Sequence, residues 1–368
     1  MTDMLQKNEE RAVFALRALY RQYGYLPFKM SKFEEYELYI RNKDFLVSDR
    51  IITFNDTNGK LLALKPDVTL SIIKQGEDEA GVKQKVYYNE NVYRVSDNTN
   101  HYKEIMQSGV ECIGDIDLYD IYEVLSLAAQ SLSLISDKFV LEISHMGIVS
   151  AILGEVCEDR AFVKSAIRYI AEKNAHDLAR LCGEYGLSDS ATARISALVT
   201  TYGARREVIN SLESICATDA AHSALEELRT LSSLLDGTDF ADNVIFDFSV
   251  VNDMSYYNGI VFKGFIDGVC DGILAGGQYD KMMQRMGRRS GAIGFAIYLD
   301  MLEQLQTATQ GYDVDVLLIY DATVSPDCVN AQVKQLTANG LSVSAQKNIP
   351  QKLRYKQCID MRKEGTLC

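Results

Sequence analysis

The fold of this chain is decided by the stretches Asp253-Met254-Ser255-Tyr256-Tyr257-Asn258-Gly259, Ala275-Gly276-Gly277-Gln278-Tyr279-Asp280 and Gly291-Ala292-Ile293-Gly294-Phe295-Ala296-Ile297-Tyr298-Leu299-Asp300-Met301-Leu302. Tyrosine suits a ligand ring that is both flat and a hydrogen-bonding partner. An adjacent pair of glycines leaves the backbone bare for close approach, although an ordinary tight turn contains such a pair as well. The order of the three stretches is far more specific than any one of them.

This order and spacing resemble the C-terminal half of a histidyl-tRNA synthetase catalytic domain. That family usually reads Arg-Gly-Leu-Asp-Tyr-Tyr, then Ala-Gly-Gly-Arg-Tyr-Asp, then Gly-Phe-Ala-x-Gly-x-Glu-Arg. The arginines of these motifs are replaced here by Asn252, Gln278 and Met301. Within the family, the pattern is similar to the paralogues that serve as regulatory subunits of ATP phosphoribosyltransferase.

The stretch Leu64-Lys65-Pro66-Asp67-Val68-Thr69 resembles the synthetase motif Leu-Arg-Pro-Glu-Gly-Thr. If this stretch is extended, Asp67 and Thr69 point to the same side. A carboxylate beside a hydroxyl suits an α-ammonium group, which offers three hydrogen-bond donors. The alternative is a solvated turn in which Thr69 caps the helix that follows.

Residues 92–111 resemble motif 2 of class II synthetases. Gln107 and Glu111 lie four residues apart and share one face of a strand, with Gly109 between them leaving room for a ligand. The resemblance assigns Gln107 to the α-amino group of histidine, Glu111 to its imidazole, and Arg94 to an anion, which is a ligand carboxylate here or a nucleotide phosphate in a working synthetase. The alternative is an amphipathic strand with its polar residues outward.

The candidate histidine-binding residues are therefore two acidic side chains, Thr69, Gln107, Arg94 and three tyrosines expected around the imidazole. They are Asp67, Thr69, Arg94, Gln107, Glu111, Tyr256, Tyr257 and Tyr279.

Activation of an amino acid by ATP builds negative charge at the α-phosphate, and each fixed donor lost there costs roughly 10²–10³ in rate. Asn252 and Met301 stand where the resemblance expects arginines, and Ser96 replaces a glutamate that helps hold ATP. We therefore expect no useful adenylation, no catalytic residue, and a pocket for free histidine. The proline that usually closes motif 1 at the dimer interface is replaced near Ser31.

Composition points away from nucleic acid and metal. The 368 residues carry a formal net charge of −13, so tRNA meets net repulsion unless a basic patch overcomes it, and the arginines and lysines are scattered. The eight cysteines form no Cys-x-x-Cys pair, and the four histidines have no metal or triad arrangement. With no phosphate-binding loop and no nucleophile elbow, we expect no cofactor.

The predicted fold class is α+β: an antiparallel sheet of six or seven strands flanked by helices, as in class II synthetases. Residues 1–310 form the catalytic-type domain, with a helical insertion at about 148–235, and residues 311–368 form a truncated α/β domain that resembles the first half of an anticodon-binding domain. Two further helices are expected, one starting near Gly294 and one before Cys368. Neither a membrane span nor a signal peptide is predicted, so a cytoplasmic, reducing location is expected.

The resemblance implies a non-catalytic subunit that pairs with the short-form catalytic ATP phosphoribosyltransferase at the first step of histidine biosynthesis. It also implies a homodimer within a hetero-octamer, with L-histidine as the effector and no tRNA. Histidine binding then favours one quaternary arrangement and lowers the activity of the partner. Two alternatives are a divergent histidyl-tRNA synthetase and an interaction module that has lost ligand binding.

Overall fold

A computed structural model describes residues 8–43, 46, 50–76, 81–95, 101–251, 256–304 and 312–362. The chain divides into two compact units, with described residues 8–304 in one and 312–362 in the other. The candidate site residues all belong to the larger unit.

A nine-stranded sheet forms the centre of the larger unit, in the order β1-β5-β6-β12-β11-β10-β7-β9-β8. Six neighbouring strands, from β5 to β7, pair antiparallel, whereas β1 pairs with β5 and β9 pairs with β7 in parallel. The strands are β1 (Leu26–Pro27), β5 (Gln84–Val95), β6 (Tyr102–Gly114), β7 (Phe139–His145), β8 (Tyr202–Gly203), β9 (Val244–Asp247), β10 (Ile260–Ile266), β11 (Leu274–Gln278) and β12 (Gly291–Tyr298).

Two helices, α1 (Asn8–Gln22) and α4 (Leu118–Ile135), cover one face of this sheet. In α1, Leu16 and Tyr20 lie four residues apart and are both fully buried, as expected for the apolar stripe of an amphipathic helix. The start of α4 is fixed by a reciprocal capping box, in which Asp117 accepts from the Asp120 amide at 3.2 Å and Asp120 accepts from the Asp117 amide at 2.9 Å.

The opposite face of the sheet is partly covered by smaller elements that come from both ends of the unit. They are β2 (Phe33–Glu35), α2 (Tyr36–Arg41), β3 (Thr53–Asn55), β4 (Leu61–Leu64), α3 (Thr69–Gln75) and α11 (Asp280–Arg285). The three strands form a separate antiparallel sheet in the order β2-β4-β3. An apolar cluster that includes Tyr39, Leu70, Tyr88 and Met282 joins these elements to the central sheet.

The segment between β7 and β9 is helical apart from the short strand β8. Its helices are α5 (Met146–Val156), α6 (Arg160–Ala171), α7 (Ala175–Glu184), α8 (Asp189–Thr200), α9 (Arg205–Glu213) and α10 (Asp219–Leu235). Several begin at a side-chain cap, for example Asp159 before α6 and Thr218 before α10. These helices occupy the segment for which the sequence predicts a helical insertion, about 148–235.

The smaller unit is a three-stranded parallel sheet with one helix, built from β13 (Val314–Ile319), α12 (Pro326–Ala338), β14 (Val343–Gln346) and β15 (Tyr355–Asp360). The central strand is β13, whose residues Val316 to Leu318 are fully buried. The order β13-α12-β14-β15 is an α/β arrangement.

Three sequence expectations are wrong. No helix starts at Gly294, because residues 291–298 form β12 between two other strands. The last described element is the strand β15 rather than a helix, since it pairs with β13. The central sheet has nine strands rather than six or seven, and β2, β3 and β4 form a separate three-stranded sheet.

Among the described residues, no helix is both long enough and apolar enough to cross a membrane. In the same part of the chain, Cys112, Cys157, Cys182, Cys216, Cys270 and Cys358 are free thiols.

The strands of the central sheet pack closely at Gly276. A Cβ there would lie 2.4 Å from the Gly294 carbonyl oxygen and 2.5 Å from the Phe295 Cβ. Backbone atoms between paired strands cannot move aside easily. We expect Gly276→Ala to lower the free energy of unfolding by about 1–3 kcal/mol in urea denaturation.

The matched control is Gly154→Ala, because Gly154 lies in α5 and a Cβ there would meet nothing within 4 Å. This change should raise the free energy of unfolding by up to about 1 kcal/mol. Equal effects of the two substitutions would contradict the packing described for β11.

Candidate functional site

The site is centred on Glu111, a carboxyl group on β6 that is only 2% exposed. The hydroxyl of Thr69 donates to Glu111 Oε1 at 3.0 Å, and the hydroxyl of Tyr279 donates to Oε2 at 2.5 Å. These three residues come from α3, β6 and the end of β11, so the carboxyl group connects segments that are distant in sequence.

Glycines in the neighbouring strands make the space that the Glu111 carboxyl occupies. Gly294 on β12 is the cross-strand partner of Glu111, and Gly277 on β11 is the partner of Gly294. A Cβ on Gly294 would lie 1.9 Å from Glu111 Oε2, and a Cβ on Gly277 would lie 2.6 Å from the ring of Tyr257. The Glu111 carboxyl group and the Tyr257 ring therefore pack directly against the backbone of these two glycines.

Burial dominates the electrostatics of this carboxyl group. Desolvation raises the pKa of Glu111 to about 8, and the negative charge of Asp67 adds to the rise, while hydrogen bonds from Tyr279 and Thr69 oppose it. Near neutral pH Glu111 is therefore an acid that ionises readily when a hydrogen-bond donor or a cation approaches.

Asp67 and Thr69 have different roles from those expected for an extended segment. Val68 between them has helical dihedral angles, and it precedes α3 without a side-chain cap of its own. Asp67, rather than Thr69, accepts from the Leu70 amide, at 2.9 Å. Thr69 is thus free of the capping role and reaches Glu111.

Arg94 lies beside this loop. Its Nε donates to the Pro66 carbonyl at 3.0 Å, and its charge opposes the rise that burial causes in the pKa of Asp67. Asp67 and Arg94 therefore present opposite charges at one end of the site.

Three tyrosines form the aromatic side of the site. The ring centroids of Tyr256 and Tyr257 are 4.4 Å apart, and those of Tyr256 and Tyr279 are 6.2 Å apart. Asp280 holds the segments that carry them together, because its Oδ2 accepts from Asn258 Nδ2 and Gln278 Nε2 at 2.9 Å each. Tyr256, Tyr257 and Tyr279 consequently converge as the sequence predicts.

Gln107 is buried on the same face of β6 as Glu111, opposite Glu90 on β5 and Tyr298 on β12. Its side chain makes no hydrogen bond to another residue in the described part of the chain, so its amide is available to a ligand. The neighbouring Glu90 accepts from Lys65 at 2.7 Å.

One part of the strand prediction is wrong. Gly109 does not leave an opening for a ligand, because the hydroxyl of Tyr88 occupies the space above it, and a Cβ on Gly109 would lie 2.5 Å from that oxygen. Sequence reasoning also missed the roles of Tyr88, Gly294 and Asp280. Gly294 and Asp280 lie in the Gly-Phe-Ala and Tyr-Asp motifs. Their roles became clear only from the residues that they contact in the structure.

The substitutions that argue against adenylation are only partly described. Asn252 and Ser96 lie outside the described residues, whereas Met301 is partly buried in the 3-10 segment Leu299–Gln304. No group of three or more His, Cys, Asp or Glu that suits a metal ion occurs among the residues that the structure describes.

The fold and site define a class of protein. The model of the histidyl-tRNA synthetase family matches residues 2–302, and the chain belongs to that family. The central sheet and its flanking helices are thus the class II synthetase-like fold predicted from the sequence.

Within this family, the relatives with the most similar sequences include named regulatory subunits. ATP phosphoribosyltransferase regulatory subunits of Oceanobacillus iheyensis and Syntrophotalea carbinolica are 27% identical over 288 residues and 28% identical over 315 residues. These alignments cover 77% and 82% of this chain, and 71% and 73% of the relatives.

Two solved structures share the fold. An ATP phosphoribosyltransferase regulatory subunit/histidyl-tRNA synthetase from Bacillus halodurans gives a TM-score of 0.77 at 24% identity, covering 96% of this chain and 93% of its own. A chain of an ATP phosphoribosyl transferase (HisG:HisZ) complex from Thermotoga maritima gives 0.63 at 21% identity, covering 79% and 97%.

The raised pKa of Glu111 predicts a specific pH dependence of stability. The folded chain keeps a proton that the unfolded chain loses above the ordinary value of 4.5, so stability falls as the pH rises from about 4.5 towards 8. Glu111→Gln removes this contribution, and its free energy of unfolding relative to the unmodified protein should improve by at most about 1.4 kcal/mol per pH unit over that range.

Urea denaturation at several pH values measures this difference. Glu104→Gln, on the exposed part of the same strand, is the control and should show no such trend. A stability difference for Glu111→Gln that stays constant between pH 5 and 8 would mean that the carboxyl group is not desolvated as described.

Proposed function

We propose that this protein is a non-catalytic regulatory subunit of ATP phosphoribosyltransferase that binds free histidine in the Glu111 site. The observation that carries the proposal is the buried Glu111 carboxyl surrounded by Thr69 and three tyrosines. The names of the relatives support the regulatory role, and the complex from Thermotoga maritima supports a catalytic partner.

Each end of a histidine molecule finds complementary chemistry. An imidazole N–H donates to the Glu111 carboxylate, with the ring beside the contacting pair Tyr256 and Tyr257. The α-ammonium group finds acceptors in Asp67 and the Gln107 side chain, and the guanidinium of Arg94 pairs with the ligand carboxylate. In this proposal the ligand replaces the hydrogen bonds that Thr69 and Tyr279 make to Glu111.

The same site is poorly equipped to activate histidine. Stabilising a developing charge on an α-phosphate requires fixed cations or strong donors, and a methionine at position 301 cannot pair with phosphate. The neighbouring Lys65 is fully buried and already paired with Glu90. Binding without adenylation is therefore the function that these residues favour.

Control of the partner follows from linkage. Histidine contacts the loop before α3, strand β6 and the tyrosine-bearing segments at once, so it binds best to the arrangement in which these segments are closest. A ligand with different affinities for two arrangements shifts the equilibrium between them, and the partner's substrates must in turn affect histidine affinity. We propose that this occurs in a hetero-octamer built on homodimers of this chain.

Two substitutions test the histidine site. Glu111→Ala removes the charged acceptor and should weaken L-histidine binding by about ten- to a hundredfold, whereas Tyr257→Phe removes one hydroxyl and should weaken it by about two- to tenfold. Isothermal titration calorimetry gives the affinities, and histidine inhibition of the reconstituted complex with the catalytic subunit gives the regulatory effect.

The control is Tyr119→Phe, because Tyr119 is exposed on α4 and distant from the site. It should change neither histidine binding nor inhibition. If Glu111→Ala or Tyr257→Phe instead abolishes assembly with the catalytic subunit, these residues are structural and the pocket is assigned wrongly.

Adenylation is tested directly by pyrophosphate exchange with histidine and ATP. We expect no exchange above background from the unmodified protein, since Asn252 and Met301 replace two of the arginines that adenylation requires, although Arg94 remains. Clear turnover would support a divergent histidyl-tRNA synthetase and would remove the regulatory proposal.

A further inference from the structure

A second cleft opens on the same face of the central sheet, two strands away from Glu111, with a volume of about 380 Å³. Its floor is β7, β10 and β11, and its rim is the segment after β9 together with the end of α6. The residues that line it are Glu142, Ala171, Ser249, Val250, Val251, Tyr257, Val261, Phe262, Lys263, Phe265, Ala275 and Gly276. This volume lies within the range of small-molecule sites.

Two opposite charges meet at the floor of this cleft. Lys263 on β10 and Glu142 on β7 are cross-strand partners, so their side chains leave the sheet on the same face. Neither makes a hydrogen bond or an ion pair with another residue in the described part of the chain, and Lys263 Nζ lies 5.2 Å from the centre of the Phe265 ring. An adjacent cation and anion that do not pair leave both charges available.

The surrounding charges are already engaged. Asp247 accepts from Lys173 at 2.8 Å and from the Ser249 amide at 2.8 Å. Burial and, after it, the charge of Asp247 raise the pKa of Glu142, while the charges of Lys173 and Lys263 oppose the rise. A cationic group placed beside Glu142 therefore adds to the partial compensation that Lys173 and Lys263 give this carboxyl group.

The rest of the lining is apolar. Val250, Val251, Val261 and Phe265 surround the two charged groups, and Tyr257 forms one wall. The Tyr257 ring also packs against Gly277. Gly277 pairs across the strands with Gly294, which lies beneath the Glu111 carboxyl group. The two sites thus share Tyr257 as a wall while keeping separate charged groups.

We propose that this cleft binds a second ligand, a free α-amino acid with an aliphatic side chain. Its carboxylate pairs with Lys263, its ammonium group pairs with Glu142, and its side chain lies against Val250, Val261 and Phe265. A zwitterion satisfies both neighbouring charges at once. A simple anion leaves its charge facing Glu142, and a simple cation leaves its charge facing Lys263.

Calorimetric titration of the full chain with L-leucine tests the proposal. Binding is expected at millimolar or lower concentration, and Lys263→Met and Glu142→Gln should each weaken it by about tenfold or more. Lys263→Arg keeps the positive charge and should retain most of the affinity. Lys138→Met, at an exposed lysine just before β7, is the matched control and should have no effect. Melting curves from circular dichroism establish that the variants are folded.

Further titrations separate this site from the first one and from a simple anion site. Glu111→Ala must leave leucine binding unchanged, so loss of binding in that variant would place leucine in the Glu111 site and overturn the proposal. Equal binding of 4-methylpentanoate or of inorganic phosphate would make the cleft an anion site and overturn it as well. Absence of leucine binding at millimolar concentration, or indifference to both floor substitutions, would overturn it too.

Discussion

The buried carboxyl group of Glu111 is the feature on which the site depends. A carboxyl group that is 2% exposed is stable only where donors satisfy it, and Thr69 and Tyr279 supply them from two other parts of the chain. Its position determines how closely α3 approaches β6 and which way Tyr279 turns. Burial also favours the protonated, neutral form of this carboxyl group at neutral pH.

The sheet is built to accommodate this group. Gly277 and Gly294 replace side chains by bare backbone on the face that carries Glu111, while Gly276 leaves room for Phe262 and Phe295 on the opposite face. Consecutive glycines in β11 therefore serve both faces of one strand. A strand with so little side chain contributes little packing of its own, and its place in the middle of an antiparallel sheet compensates for this.

Membership of the histidyl-tRNA synthetase family is consistent with the proposed absence of synthetase chemistry. Recognition of an amino acid needs acceptors and aromatic faces, which Asp67, Gln107, Glu111 and the tyrosines provide. Activation by ATP needs fixed cations as well, and position 301 has none. This difference supports the proposed sensing role, and the cleft lined by Lys263 and Glu142 lies on the same face of the sheet.

The sequence by itself determined the order of elements, the helical insertion and the identity of the candidate side chains. Local periodicity and short motifs carry this information, and the helices α5 to α10, for example, occupy the segment expected to be helical at about 148–235. Only the tertiary structure decided that residues 291–298 are a strand, that Tyr88 fills the space over Gly109, and that Lys263 and Glu142 face one cleft without pairing. The physical reason is separation along the chain. Thr69 is 42 residues from Glu111, and Tyr279 is 168 residues from it. Contacts over such separations depend on strand register, which no local pattern encodes.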